Sequence, residues 1–132
     1  MVMVVDTSAI VAVLVSEPER AALVRATVGA DLVAPASVHW EVGNAMSALL
    51  KRRRATPSQV QRALAAYSEI PIRFLEVDLA LSLEVAAQHD IYAYDSYLLT
   101  CALTQRAPLL TLDRGLSQKA ANAGVRLVEF DQ

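Results

Sequence analysis

The chain has 132 residues, 55% of them hydrophobic, enough for one domain with a substantial core. No apolar run reaches the roughly 18 residues of a membrane span, and no basic stretch precedes the first apolar run as in a signal peptide. A net charge of −2 sets up no general attraction for polyanions, and the single cysteine, Cys101, excludes an intrachain disulfide and fits a cytoplasmic location.

Strands and helices alternate along the chain, which predicts an α/β fold with a mostly parallel sheet. The first strand is Val2 to Val5, a continuous apolar run of the kind buried on both faces. Thr7 and Ser8 are placed to cap the helix through Ile10, Val11 and Leu14, and Pro18 opens another. Leu32 to Ala34 is a short strand ending at Pro35. Ser37 is expected to cap a long helix with Val38, Val42, Ala45, Met46, Leu49 and Leu50 on its apolar stripe. Thr56-Pro57 reads as cap and first residue of the next helix, to about Ser68.

After Pro71 a strand is predicted from Ile72 to Val77, then a helix from Leu79 to His89 capped by Asp78. A helix from about Tyr94 to Gln105 leads into a fourth strand, Leu109 to Leu112. A last helix through Leu116 and Ala120 ends at Gly124, and Val125 to Phe130 is expected to be a final strand. No repeat or linker divides the chain, so residues 1–132 form one domain in this reading.

Four acids stand out against this pattern. Asp6 closes the first strand and Asp113 the fourth, while Glu41 and Asp95 sit near the starts of apolar helices. Each has an ordinary structural use: Asp6, Asp95 and Asp113 as helix caps, Glu41 as a capping-box partner of Ser37 or a first-turn acid. Together they carry more. Ligands of parallel sheets bind beyond the carboxyl ends of the strands, where Asp6 and Asp113 project. Unit charges about 5 Å apart repel by roughly 3 kcal/mol at an effective dielectric near 20, so four clustered acids call for a cation. All-oxygen ligation suits Mg²⁺ or Mn²⁺. Such an ion polarises a phosphodiester oxygen and acidifies a water for in-line attack. Thr7, Ser8 and Ser96 beside these acids, with Asn44 on the Glu41 face of its helix, offer supporting polar groups.

The segments Val5-Asp6-Thr7-Ser8-Ala9, Glu41-Val42-Gly43-Asn44-Ala45, Tyr94-Asp95-Ser96-Tyr97-Leu98 and Leu110-Thr111-Leu112-Asp113 resemble, in order, the signatures of PIN domains. The resemblance covers nearly the whole chain, and its size is similar to the VapC branch, the ribonuclease toxins of VapBC toxin–antitoxin modules. It implies a three-layer α/β/α sandwich and metal-dependent cleavage of RNA. It further implies that Asp6, Glu41, Asp95 and Asp113 form the acidic, Mg²⁺- or Mn²⁺-binding quartet, supported by Thr7 or Ser8 and by Thr111. A VapB-like antitoxin and a homodimer are the expected partners, the antitoxin against the exposed side of the helices Ser37 to Arg54 and Thr56 to Ser68.

The basic run Lys51-Arg52-Arg53-Arg54 reads either as a solvated helix end or as a contact to RNA phosphates, Arg52, Arg53 and Arg54 being the candidates. Arg114, at a helix start where the dipole disfavours a cation, is a further candidate. Tyr92, Tyr94 and Tyr97 fit either the mouth of a cleft or core packing. His39-Trp40-Glu41 lacks the cysteine pair a zinc deaminase needs, so His39 and His89 read as surface residues and Cys101 as inert core. A second reading makes the acidic pocket a receptor for a partner's basic side chain, without cleavage. A phosphoaspartyl domain fits poorly, because position 8 is Ser and Lys119 falls in a helix.

Overall fold

The computed structural model describes residues 1–130, so the last two residues of the expected 1–132 domain lie outside it. Strands β1 (Val2–Val5), β2 (Asp31–Pro35), β3 (Ile72–Leu75) and β4 (Leu109–Leu110) form one sheet in the order β3-β2-β1-β4. All pairings are parallel, with Val4 facing Val33 on one side and Leu109 on the other. Met3, Val4, Val5, Val33, Ala34, Leu109 and Leu110 are buried, as strands covered on both faces require.

The helices are α1 (Thr7–Leu14), α2 (Arg20–Ala26), α3 (Ser37–Lys51), α4 (Pro57–Ser68), α5 (Leu79–His89), α6 (Ala93–Gln105) and α7 (Arg114–Asn122). Right-handed crossovers put α1 to α4, which link strands stepping from β1 to β3, on one face. The return from β3 to β4 through α5 and α6 then crosses the other face. Packing agrees: α1 meets α2, α3 and α4, whereas α5 packs on α6 and α6 on β1 and β2. Along α6, Ser96 and every residue from Leu98 to Ala102 are buried, which makes it the central helix of its layer. The three-layer expectation holds, and the sheet is wholly parallel.

Local sequence explains most helix starts. Thr56 and Gln59 form a capping box with Pro57 as first residue of α4. Asp78 accepts from the Leu81 N–H at 2.9 Å to open α5. Several details differ from expectation. The cap of α1 is Asp6, not Thr7 or Ser8, because the helix starts directly at the strand end. Ser37 is the first residue of α3, behind an Ala36 cap that makes no side-chain bond, so Glu41 belongs to no capping box. Asp95 lies in the first turn of α6, whose cap position is Tyr92. β3 ends at Leu75 rather than Val77.

β4 is shorter than expected, and the predicted strand Val125 to Phe130 reduces to a single bridge, Leu109 with Leu127. Side chains supply the reason. Past Leu110 the backbone is held by hydroxyls: the Leu112 N–H donates to Ser8 Oγ at 2.9 Å and the Asp113 N–H to Thr111 Oγ1 at 3.0 Å. With β4 cut to two residues, Leu109 alone exchanges bonds with the terminal segment, donating to Arg126 O and accepting from the Val128 N–H.

Candidate active site

The chain leaves β1 toward β2 and later returns to β4 on the other side, so the strand order reverses between β1 and β4. Ligands of open parallel sheets bind at the carboxyl edge where this happens. Asp6 directly follows β1, and Asp113 follows β4 by three residues.

Asp6 is 3% exposed and held from three sides. Its Oδ1 accepts from the Ala9 N–H at 3.0 Å and from Ser8 Oγ at 2.7 Å, and its Oδ2 accepts from Thr111 Oγ1. Because Ser8 Oγ and Thr111 Oγ1 each accept a backbone N–H, from Leu112 and Asp113, their protons are free to point at Asp6. Two hydroxyls thus lock the β1–α1 junction to the β4–α7 junction and aim the carboxylate. Asp113 caps α7, its Oδ1 accepting from the Leu116 N–H at 3.1 Å. Gly115 keeps this cap clear, since a Cβ there would stand 3.3 Å from Asp113 Oδ1.

The four acids feel one another. Burial pushes the Asp6 carboxyl above its ordinary range despite its hydrogen bonds, and the Asp113 charge pushes the same way. Glu41 is raised by burial and then by the charges of Asp6 and Asp95. Asp95 is raised by burial and by Asp113, while Lys119 opposes the shift. Among the described residues no three His, Cys, Asp or Glu side chains are gathered closely enough to hold an ion at once. The donor set nevertheless fits a hard cation. Glu41 Oε2 is buried without a hydrogen-bond partner, and so is Thr7 Oγ1. A buried carboxylate oxygen with no donor, facing the charges of Asp6 and Asp95, is the situation a divalent ion relieves.

The remaining candidates separate. Ser8 and Thr111 belong to the Asp6 network. Ser96 is buried and donates to the Ser82 carbonyl, tying α6 to α5 instead of supporting a carboxylate. Asn44 is exposed one turn beyond Glu41. Arg114 is exposed in the first turn of α7, next to Asp113. Arg52, Arg53 and Arg54 are exposed around the end of α3, with Arg53 in the left-handed conformation that closes the helix. At 1.5 Å per residue they begin roughly 16 Å along the axis from Glu41. Lys119 is the residue sequence reasoning missed: a lysine in mid-helix carries no signal, and only the packing of α7 brings its charge to Asp95.

His39 is exposed, as expected of a surface residue, with its Nδ1 3.0 Å from Tyr67 Oη and its ring stacked on Tyr67. Cys101 is buried, its thiol pushed up to about 11, and inert. A groove of about 450 Å³ separates the end of α1 from α3 and α4, with Met46, Leu49 and Val60 in its walls and Arg54 and Arg62 beside them. It does not include the acids. Among the described residues no helix is long and apolar enough to cross a membrane.

The family model for the PIN domain matches residues 3–122. A comparison with curated protein sequences returns no match. Solved structures agree in fold. PAE2754 from Pyrobaculum aerophilum is 21% identical with a TM-score of 0.66, over 96% of this chain and 83% of its own. VapBC2 from Rickettsia felis, bound to a DNA fragment from its promoter, is 13% identical with a TM-score of 0.73, over 99% and 100%. VapC20 of Mycobacterium tuberculosis, a toxin that cleaves the sarcin–ricin loop, is 17% identical with a TM-score of 0.64, over 88% and 93%.

Proposed function

The chain belongs to the PIN-domain family, and from that membership we propose that it is a divalent-metal-dependent endoribonuclease, the toxin of a VapBC-type toxin–antitoxin pair. The observation that carries this is that the charges of neighbouring acids reach Asp6, Glu41 and Asp95 at the switch-point edge, where one Glu41 oxygen is buried and unpartnered.

Asp6, Asp95, Asp113 and Glu41 would hold Mg²⁺ or Mn²⁺. When bound, the ion supplies Lewis acidity toward a phosphodiester oxygen and favours deprotonation of water. The protein's part is orientation. Ser8 and Thr111 hold Asp6 in one rotamer, and the α7 N-terminus holds Asp113. Arg114, next to Asp113, and Lys119, whose charge reaches Asp95, supply the nearby positive charge for the RNA phosphates.

A second reading is favoured by the same unpartnered oxygen: a partner's Arg or Lys entering the pocket would satisfy Glu41 and silence the site. In a toxin–antitoxin pair both hold. An antitoxin segment lying in the groove between α1, α3 and α4 fits its apolar walls. A cytoplasmic, homodimeric protein of a single PIN domain completes the proposal.

The test is incubation of end-labelled total RNA with protein freed of any bound partner, in Mg²⁺, Mn²⁺ or EDTA, beside Asp95→Ala. Discrete fragments that need metal and vanish in the variant are expected. No cleavage under any condition would leave the receptor reading alone.

A further inference from the structure

The carboxyl edge of the sheet carries a second feature that the acids do not use. Beyond the ends of β2 and β3 lies a cavity of about 270 Å³, close to the roughly 300 Å³ at which small-molecule sites begin. Pro35, Leu75, Val77 and Leu79 give it apolar walls, and Ser37 and Tyr97 complete the lining with a hydroxyl and a ring. Ser37 is one helical turn before Glu41 on α3, and Tyr97 is two residues after Asp95 on α6. The cavity therefore adjoins Glu41 through Ser37, whose hydroxyl acts on the Glu41 carboxyl, whereas two residues of helix turn Tyr97 roughly 200° away from Asp95.

We propose that this cavity is a subsite for one unpaired nucleobase of the RNA, next to the phosphate held at the acids; the inference rests on the nuclease reading. Its chemistry decides against a phosphate, because Glu76 is the one charged lining residue and is acidic. A neutral, flat group suits it instead: Tyr97 offers an aromatic ring, held edge-on by Tyr94 with centroids 5.8 Å apart at 90°. Ser37 Oγ is buried in this wall, close enough to Glu41 to lower its carboxyl, and has no other partner, so it can also turn toward an arriving base. Stacking is also what the charge balance demands, since a chain of net charge −2 whose pocket is acidic gains little from long-range attraction to RNA.

The probes are the four nucleoside 5′-monophosphates, added to isotopically labelled full-length protein, and single-stranded RNA in Mn²⁺. Leu79 is 59% exposed at the rim, so Leu79→Trp fills the opening without disturbing the core; Tyr97→Leu removes the ring. Nucleotides are expected to shift the amide resonances of Val77, Leu79 and Tyr97. In both variants KM for RNA should rise roughly tenfold, the loss of one stacked base, with base preference beside the cut flattened. Wild-type KM and preference in Leu79→Trp, with amides unmoved by all four nucleotides, overturn the subsite while leaving the nuclease standing. Amide shifts in a protein that cleaves nothing keep the subsite and sink the nuclease reading. Shifts caused by a protein partner and by no nucleotide overturn the subsite.

Discussion

The two halves of the sheet's carboxyl edge are built for different work. Over β1 and β4 the chain places Asp6 and Asp113, and ties their loops together through Ser8 and Thr111. Over β2 and β3, in the same register and on the same edge, the strands end in Pro35 and Leu75, with an apolar cavity beyond them. The first half is clasped and acidic, the second open and mostly apolar, with Glu76 its one charged lining residue. A parallel sheet positions both in the same way, and the residues immediately after each strand decide whether its end serves chemistry or shape. Glu41 and Ser37, one turn apart on α3, link the halves.

The sharpest way to break this comparison is Asp6→Asn. It keeps size and one acceptor but removes charge, and cleavage should fall by more than about 100-fold, beyond what supporting partners of metal ligands cost. Single-turnover assays on protein with a wild-type circular dichroism spectrum decide it; wild-type rates would remove Asp6 from the chemistry. Thr111→Val comes next. It takes a donor from Asp6 and an acceptor from the Asp113 N–H, so a loss of about 1–3 kcal/mol in urea unfolding is expected, together with about 10–100-fold in rate. A change in rate without any change in stability would mean the clasp is not structural.

Metal and pH sharpen the contrast from another side. Asp6, Glu41 and Asp95 have carboxyls raised from their ordinary 3.8, 4.5 and 3.8. The folded protein then binds these protons more tightly than the unfolded chain does, so the stability they contribute is full below the ordinary values. It drains away as pH rises through the raised ones. In EDTA the melting temperature should therefore decline from about pH 4 toward neutrality, and Mn²⁺ should restore it more at pH 7 than at pH 4. A Mn²⁺ effect of equal size at both would contradict a site built from these carboxylates.

The smallest effect expected is at the far end of α3. Arg52→Ala with Arg54→Ala should change KM less than about threefold at physiological salt, because roughly 16 Å is twice the Debye length of about 8 Å. Arg114→Ala, beside Asp113, should raise KM by about fivefold, the value of one charge-assisted phosphate contact of roughly 1 kcal/mol. The reverse order would move the RNA path onto the α3–α4 side.

Much of this was legible before folding. Asp6 and Asp113 stood out because acids close apolar runs at the ends of buried parallel strands, although each also serves as a helix cap. Thr56-Pro57 marked α4 because capping is local chemistry between residues three apart. The shortened β4 was not legible, since the groups that end it, Ser8 and Thr111, are 103 residues apart in sequence. Ser96 looked like a companion of Asp95 by proximity, whereas helix geometry turns it 100° away, toward Ser82. Lys119 gave no signal for the site and Ser37 signalled only a helix cap, because their roles depend on which helix face meets a neighbour.

By itself, then, the sequence determined the order of elements, the parallel sheet and the four acids. Each follows from periodicity, caps and residue type within a few positions. Only the tertiary structure decided that the strand order reverses between β1 and β4, that two hydroxyls aim Asp6, and that a mostly apolar cavity lies beyond the ends of β2 and β3. These are contacts between distant segments, and they exist only once burial of the core has brought the strand ends to a common edge.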